Sequence, residues 1–218
     1  MDVKDVRGRH FTAGAPPRRV VSLVPSITET LFELGVGVSI VGVTDFCIFP
    51  AMGLEGTPRL GGTKNPDVER ILALKPDLVH MNIEENLQRD ADAIGKFAPL
   101  FLSEPKSPGD VPSLISNLGV LHGCERKAAD LVESLVHELE RGKTTSFSFA
   151  CAIWKSPWMW CGGDTYAANL IEAVGGVNVL AGRDRYPKVP IEEVIALDPA
   201  CVLLPDEPWL FTADDASA

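Results

Sequence analysis

The sequence predicts an α/β protein of two lobes, each with a parallel sheet, joined by one long helix, with the second lobe incomplete. Three observations carry this prediction. Short apolar, β-branched runs alternate with segments of helical periodicity through the first hundred residues. A single amphipathic stretch follows, over Glu125 to Arg141. Beyond it the helix-then-strand pattern returns, with close sequence similarity to the first half.

Val20 to Val24 reads as a strand, and Ser26-Ile27-Thr28-Glu29 reads as a capping box opening a helix. Ile27, Leu31 and Leu34 share one face of that helix until Gly35, a natural stop, and Ile40 to Val43 is the next strand. Asn65 is placed to cap a second helix with Pro66 at its first position. Val68, Ile71, Leu72 and Leu74 form its inner face, and Pro76 ends it. Leu78 to Met81 makes a third strand, Glu85 to Phe97 a helix, and Leu100 to Leu102 a fourth strand. Pro105, Pro108, Gly109 and Pro112 then mark the edge of the first lobe.

From Glu125 to Arg141, Ala128, Leu131, Val132, Leu135, Val136 and Leu139 line one face of a rod roughly 25 Å long at 1.5 Å per residue. The implied division is an amino-terminal lobe over 1–122, a connecting helix over 123–143 and a truncated carboxyl-terminal lobe over 144–218. The second lobe opens with a strand from Phe147 to Ile153, and Gly162-Gly163-Asp164 turns the chain into a helix. The strongest internal signal is a repeat at a spacing of 123 residues: Glu69 to Val79 is echoed by Glu192 to Val202, each reading as helix, proline stop, strand. A weaker echo, 140 residues apart, relates Leu31 through Gly35 to Ile171 through Gly175. Two related lobes imply a cleft between them, where small-molecule sites preferentially lie. After Cys201 to Leu204 only a short tail remains, so the second lobe is expected to lack elements that the first has.

Composition narrows the function. The chain has 218 residues with a formal net charge of −10, a field that disfavours nucleic acid and anionic lipid surfaces. No apolar run approaches the ~20 residues of a membrane-spanning helix. The first residues show no apolar leader core, so a cytoplasmic location is expected for the chain as encoded. Five cysteines without a C-x-x-C spacing indicate neither a disulfide scaffold nor a zinc ribbon. No catalytic motif is present, and no resident cofactor or metal is expected. An enzyme or metal-handling site built on Asp45, Cys47 and His80 is the main alternative from another class.

Aromatic placement is more informative. Trp154, Trp158 and Trp160 fall within seven residues directly after a strand, on the side of a parallel sheet where ligands usually bind. Phe46 follows the strand ending at Val43, and Tyr186 precedes the second repeated helix. Such rings suit a flat, largely apolar ligand. Glu69 and Glu192 occupy the same repeat position on the first turn of each helix. The helix dipole favours a carboxylate there, and a pair so placed could also dock on a basic, roughly two-fold symmetric partner.

The stretches RRVVSLVPSITETLFELGVGVSIVGVTDFC and PRLGGTKNPDVERILALKPDLVHM resemble the substrate-binding proteins of cobalamin and iron-siderophore ABC transporters, above all the cobalamin-binding type. WMWCGGDTYAANLIEAVGGVNVLAG and RYPKVPIEEVIALDPACVLLPDEP continue the likeness, which runs over about residues 1 to 211. The resemblance implies a non-enzymatic binding protein that holds cobalamin, a siderophore or a haem-like metal chelate between two lobes and delivers it to a membrane permease. It further implies that Glu69 and Glu192 are the two lobe-tip glutamates that pair with permease arginines, and that Phe46 and Tyr186 line the ligand cleft. Two other aromatic positions of the family hold Thr63 and Asn82 here. Family members are exported or lipid-anchored, so a cytosolic or degenerate relative without transport function is a further alternative.

Overall fold

A computed structural model of the chain describes residues 2–12, 14–141 and 145–217. The chain divides into two compact units, Met1–Glu104 with Ser113–Glu133, and Pro105–Pro112 with Ser134–Ala218. The expected boundary between residues 143 and 144 lies outside the described residues.

The first unit opens with an antiparallel pair, β1 (Asp2–Lys4) and β2 (His10–Thr12). Its sheet contains β3 (Val20–Ser22), β4 (Ile40–Val43), β7 (Leu78–Asn82) and β8 (Leu100–Ser103) in the order β4-β3-β7-β8, every pair parallel. A small antiparallel pair, β5 (Gly61–Gly62) and β6 (Asn65–Pro66), follows β4. The helices are α1 (Pro25–Glu33), α2 (Val68–Ala73), α3 (Gln88–Ile94), α4 (Val111–His122) and α5 (Glu125–Arg141), the last belonging to this unit as far as Glu133. Alternate strand residues Val21, Leu23, Val79, Met81, Leu100 and Leu102 bury one face against Ile71 of α2 and Ala91 and Ile94 of α3. The opposite face, with Leu78 and Phe101, packs on Val3 and Phe11 from the amino-terminal pair and on Leu114, Val120 and Leu121 of α4. Covering both faces lets these strands be apolar at consecutive positions.

The second unit is arranged around β9 (Phe147–Trp154). β11 (Gly176–Asn178) and β12 (Cys201–Leu203) pair with it in parallel, and β10 (Met159–Trp160) folds back antiparallel onto its end. α6 (Tyr166–Ala173) and α7 (Ile191–Ala196) complete it. Ala150, Ala152 and Trp160 pack with Leu180, Val189, Val194 and Phe211. Phe149, Cys151, Cys161 and Ala168 form a separate cluster. The chain around Lys106 belongs to this unit, where the Asn169 side-chain amide donates to the Lys106 carbonyl at 3.0 Å.

The 123-residue repeat extends to backbone detail. α2 and α7 start and stop at equivalent positions, and β7 and β12 start together. Ile71 and Val194 are their fully buried counterparts. Lys75 (φ 47°) and Asp198 (φ 51°) adopt the same left-handed conformation immediately after each helix. Both close it in the same way, Lys75 N–H donating to the Leu72 carbonyl at 3.0 Å and Asp198 N–H to that of Ile195 at 2.9 Å. The proline that follows each cannot continue a helix. The weaker echo holds at Gly35 and Gly175, both left-handed, at the ends of α1 and α6.

Several local expectations are corrected. The capping box at Ser26 does not form: Val24 is the N-cap and α1 begins at Pro25, two residues before the start the box implies, where a missing N–H costs nothing in a first turn. Asn65 and Pro66 form β6 rather than the start of α2, which Asp67 caps by accepting from Arg70 N–H at 3.0 Å. The helix expected over Glu85 to Phe97 spans only Gln88–Ile94, because Asn82 Oδ1 draws the amides of Glu84 and Glu85 into a turn. The proline-rich break leads directly into α4, and the tryptophan segment folds as a hairpin with β10 rather than as a plain turn.

Candidate ligand-binding site

In the first unit, three of the expected ligand residues come together at the carboxyl ends of the sheet. Phe46 follows β4 and is 59% exposed, with Ile48 and Phe49 exposed beside it in sequence. Its ring edge closes on Gly62, where a Cβ would lie 3.4 Å from Phe46 Cε2. Thr63 sits in the turn between β5 and β6 and is nearly buried. Asn82 ends β7, and its side chain is spent on its own loop, accepting from Glu84 N–H at 2.7 Å and donating to Ser103 Oγ at 3.4 Å.

The residue that assembles this corner is Asn86, which sequence reasoning missed. Its amide nitrogen donates to the carbonyls of Thr63 (2.9 Å) and Leu23 (3.2 Å), and its Oδ1 accepts from Asn82 N–H (2.8 Å). One buried side chain thus ties the loops after three strands. Beside it lies a cavity of about 100 Å³ lined by Met81, Ile83, Leu87 and Leu102. A larger groove, about 540 Å³, opens at the amino ends of β7 and β8, bordered by Arg9, Phe11, Arg18 and Leu121. It is on the opposite end of the strands from Phe46.

In the second unit, Trp154 ends β9, is 38% exposed and meets Trp209 edge to face at 4.7 Å. Trp158 stacks on Trp160 at 5.4 Å and on Phe211 at 5.8 Å, with Lys155 Nζ 5.6 Å from its ring. Trp160 is fully buried, and its indole N–H donates to the Val189 carbonyl at 2.9 Å. Tyr186 is half-buried against the Cys151–Cys161 cluster, with the Arg185 guanidinium 5.6 Å from its ring. Trp209 and Phe211, in the tail after β12, complete the aromatic group. The run Trp209-Leu210-Phe211 was the available signal. Glu69 and Glu192 are exposed on the first turns of α2 and α7.

Asp45, Cys47 and His80 do not form a common site. Asp45 is exposed, while the buried Cys47 Sγ lies 3.2 Å from Thr28 Oγ1 and 3.1 Å from Thr44 Oγ1. His80 is hydrogen-bonded to His122 instead. Among the described residues there is no group of three or more side chains placed to hold a metal ion, and no helix is long and apolar enough to cross a membrane.

A family model for periplasmic binding proteins matches residues 20–214. The chain belongs to the periplasmic binding protein family. An uncharacterized ABC transporter substrate-binding lipoprotein of Bacillus subtilis (strain 168) is 28% identical, over 94% of this chain and 68% of its own length. A vitamin B12-binding protein of Pectobacterium carotovorum (strain PC1) is 27% identical, over 90% of this chain and 74% of its own. Among solved structures, the periplasmic vitamin B12 binding protein of Vibrio cholerae superimposes with a TM-score of 0.77 at 23% identity, covering 88% of this chain and 77% of that one. A periplasmic heme binding protein from Pseudomonas aeruginosa gives 0.80 at 20% identity, covering 92% and 76%. These two likenesses establish the fold.

Family membership corrects the expected location. The family is periplasmic and one relative is named a lipoprotein, so the cytoplasmic expectation drawn from the first residues is overturned. The matched relatives are named as a substrate-binding lipoprotein of an ABC transporter and as a vitamin B12-binding protein, not as enzymes.

Proposed function

We propose that the chain is the substrate-binding component of an ABC-type uptake system, and that its cargo is a corrinoid or another tetrapyrrole-like metal chelate, carried rather than held as a cofactor. The observation that carries this reading is the exposed Phe46 ring beside a backbone corner fixed by Asn86. An aromatic face stacks on a flat macrocycle, and a corner already ordered loses little entropy when the cargo arrives. Relatives named for vitamin B12 support the same ligand class. In the second unit Trp154 and Tyr186 offer partly exposed rings to the cargo. Trp158 already stacks on two rings of its own chain, so in this reading Trp158 and Trp160 support Trp154 rather than touch cargo. Thr63 and Asn82 contribute shape through their backbone. Glu69 and Glu192, exposed at equivalent positions, are the contacts to basic residues of the permease.

Titration with cyanocobalamin, haemin and a ferric siderophore, followed by tryptophan fluorescence and ligand absorbance, tests the proposal. Saturable binding of one of them, weakened at least tenfold in Phe46→Ala, is expected; no saturable binding of any would overturn it.

A further inference from the structure

Cys151 lies within β9, and Cys161 directly follows β10 of the same hairpin. The register that sets Trp160 opposite Ala152 brings Cys161 opposite Cys151, and Cys161 N–H donates to the Cys151 carbonyl at 2.8 Å. Opposed residues of an antiparallel pair project onto the same face with Cβ atoms about 4.5–5.5 Å apart. Both thiols accordingly enter one buried cluster, with Phe149 and Ala168. A disulfide requires a Cβ separation of about 3.5–4.5 Å, so a closure on the order of 1 Å suffices and no element has to be displaced. Cys201 shares the cluster's margin but stands on β12 opposite Phe149, with Sγ directed to the Ser148 carbonyl at 3.8 Å. Cys47 and Cys124 belong to the first unit.

We propose that Cys151 and Cys161 are a disulfide-forming pair that staples the β9–β10 hairpin in an oxidising medium, leaving Cys47, Cys124 and Cys201 as thiols. The oxidant is itself a disulfide, either small-molecule or that of a thiol oxidoreductase. The Cys161 thiolate attacks one sulfur of the oxidant, giving a mixed disulfide and releasing one thiolate. Cys151 then loses its proton and attacks the Cys161 sulfur, releasing the second. Two electrons pass from the pair to the oxidant's S–S bond, and the two protons leave to the medium or to the released thiolates. In the folded chain the neighbouring Cys151 thiol holds Cys161 below its ordinary range, and the neighbouring Cys161 holds Cys151 above its own. Because both sulfurs are buried in the finished fold, the reaction takes place while the hairpin assembles. The closed loop contains Trp154, Trp158 and Trp160, so the bond fixes the aromatic group as well as the hairpin.

The test refolds the full chain from urea in mixed oxidised and reduced glutathione, traps free thiols with iodoacetamide under denaturing conditions and maps the peptides after trypsin. Three alkylated cysteines per chain are expected, with the peptides on either side of the cleavage after Lys155 joined by one reducible bond and the intact chain 2 Da lighter than its reduced form. Cys161→Ser should show four alkylated cysteines and no internal bond. Five alkylated cysteines in the parent chain, or a bond involving Cys201, overturns the proposal. The peptide map of the parent chain decides the matter even if the variant does not fold.

Discussion

His80 Nε2 and His122 Nε2 lie 2.9 Å apart, joining the middle of β7 to the last residue of α4. The edge of the Phe101 ring closes on His80 at a centroid distance of 5.7 Å, and His80 Nδ1 meets no partner among the described residues. An orphaned acceptor is easier to tolerate than an orphaned N–H. The favoured arrangement therefore has His80 donating from Nε2 and leaving Nδ1 as a bare lone pair.

Burial holds His122 down to about 4 from the ordinary 6.5, against the pull of the Asp77 charge, and holds His80 well below the ordinary value, with His122 adding to the effect. The unfolded chain thus binds more protons than the folded one between about pH 6.5 and pH 4. Stability is complete above that window and falls as the pH drops through it. Urea unfolding at pH 5.0 should show about 2 kcal/mol less stability from His122 alone than at pH 7.5. His122→Gln should flatten this dependence, and an unchanged slope would refute the assignment.

Asn86→Ala should lower stability by about 3 kcal/mol, because three buried backbone groups, on Leu23, Thr63 and Asn82, lose their partner at once. Phe46→Ala, at an exposed ring, should change the urea midpoint little. If the Phe46 corner binds cargo, both variants lose affinity while only one loses stability.

Trp158→Ala should cost about 3 kcal/mol, since it removes a ring stacked on both Trp160 and Phe211. Trp154→Ala should cost about 1 kcal/mol, as its side chain is partly in solvent and makes one edge contact. Urea denaturation of the two variants separates a packing role from an exposed one. Equal losses would contradict the stacking arrangement.

Lys75→Gly and Asp198→Gly should each stabilise the chain by about 0.5–1 kcal/mol, because a side chain in the left-handed region is strained where glycine is not. The two gains should be alike, and thermal unfolding of the single variants checks it.

Much of this architecture was legible in local sequence. The helix, proline stop and strand at Glu69 to Val79 and Glu192 to Val202 rest on nearest-neighbour chemistry, and they recur with the same left-handed residue. α4 was hidden because Pro108 and Pro112 read as loop, although a first helical turn tolerates proline. The site was legible only in part. Clustering of Trp154, Trp158 and Trp160 is visible in the sequence, whereas the hairpin that directs Trp160 inward depends on pairing across β9. Asn86 carried no signal because its three partners are distant in the chain or belong to its own turn.

β9 is the strand to which β10, β11 and β12 all attach, and none of those three pairs with another. In the first unit, by contrast, β3 and β7 share the load as links of a ladder. The second sheet is therefore a hub with spokes, and its order parameter is a single segment of eight residues. Until Phe147–Trp154 is placed, β11 and β12 have no other strand to pair with, while β10 also bridges Lys188 through Met159 and donates Trp160 N–H to the Pro187 carbonyl at 3.1 Å. Amide exchange in β11 and β12 should consequently follow one common opening event, with neither outlasting the hub.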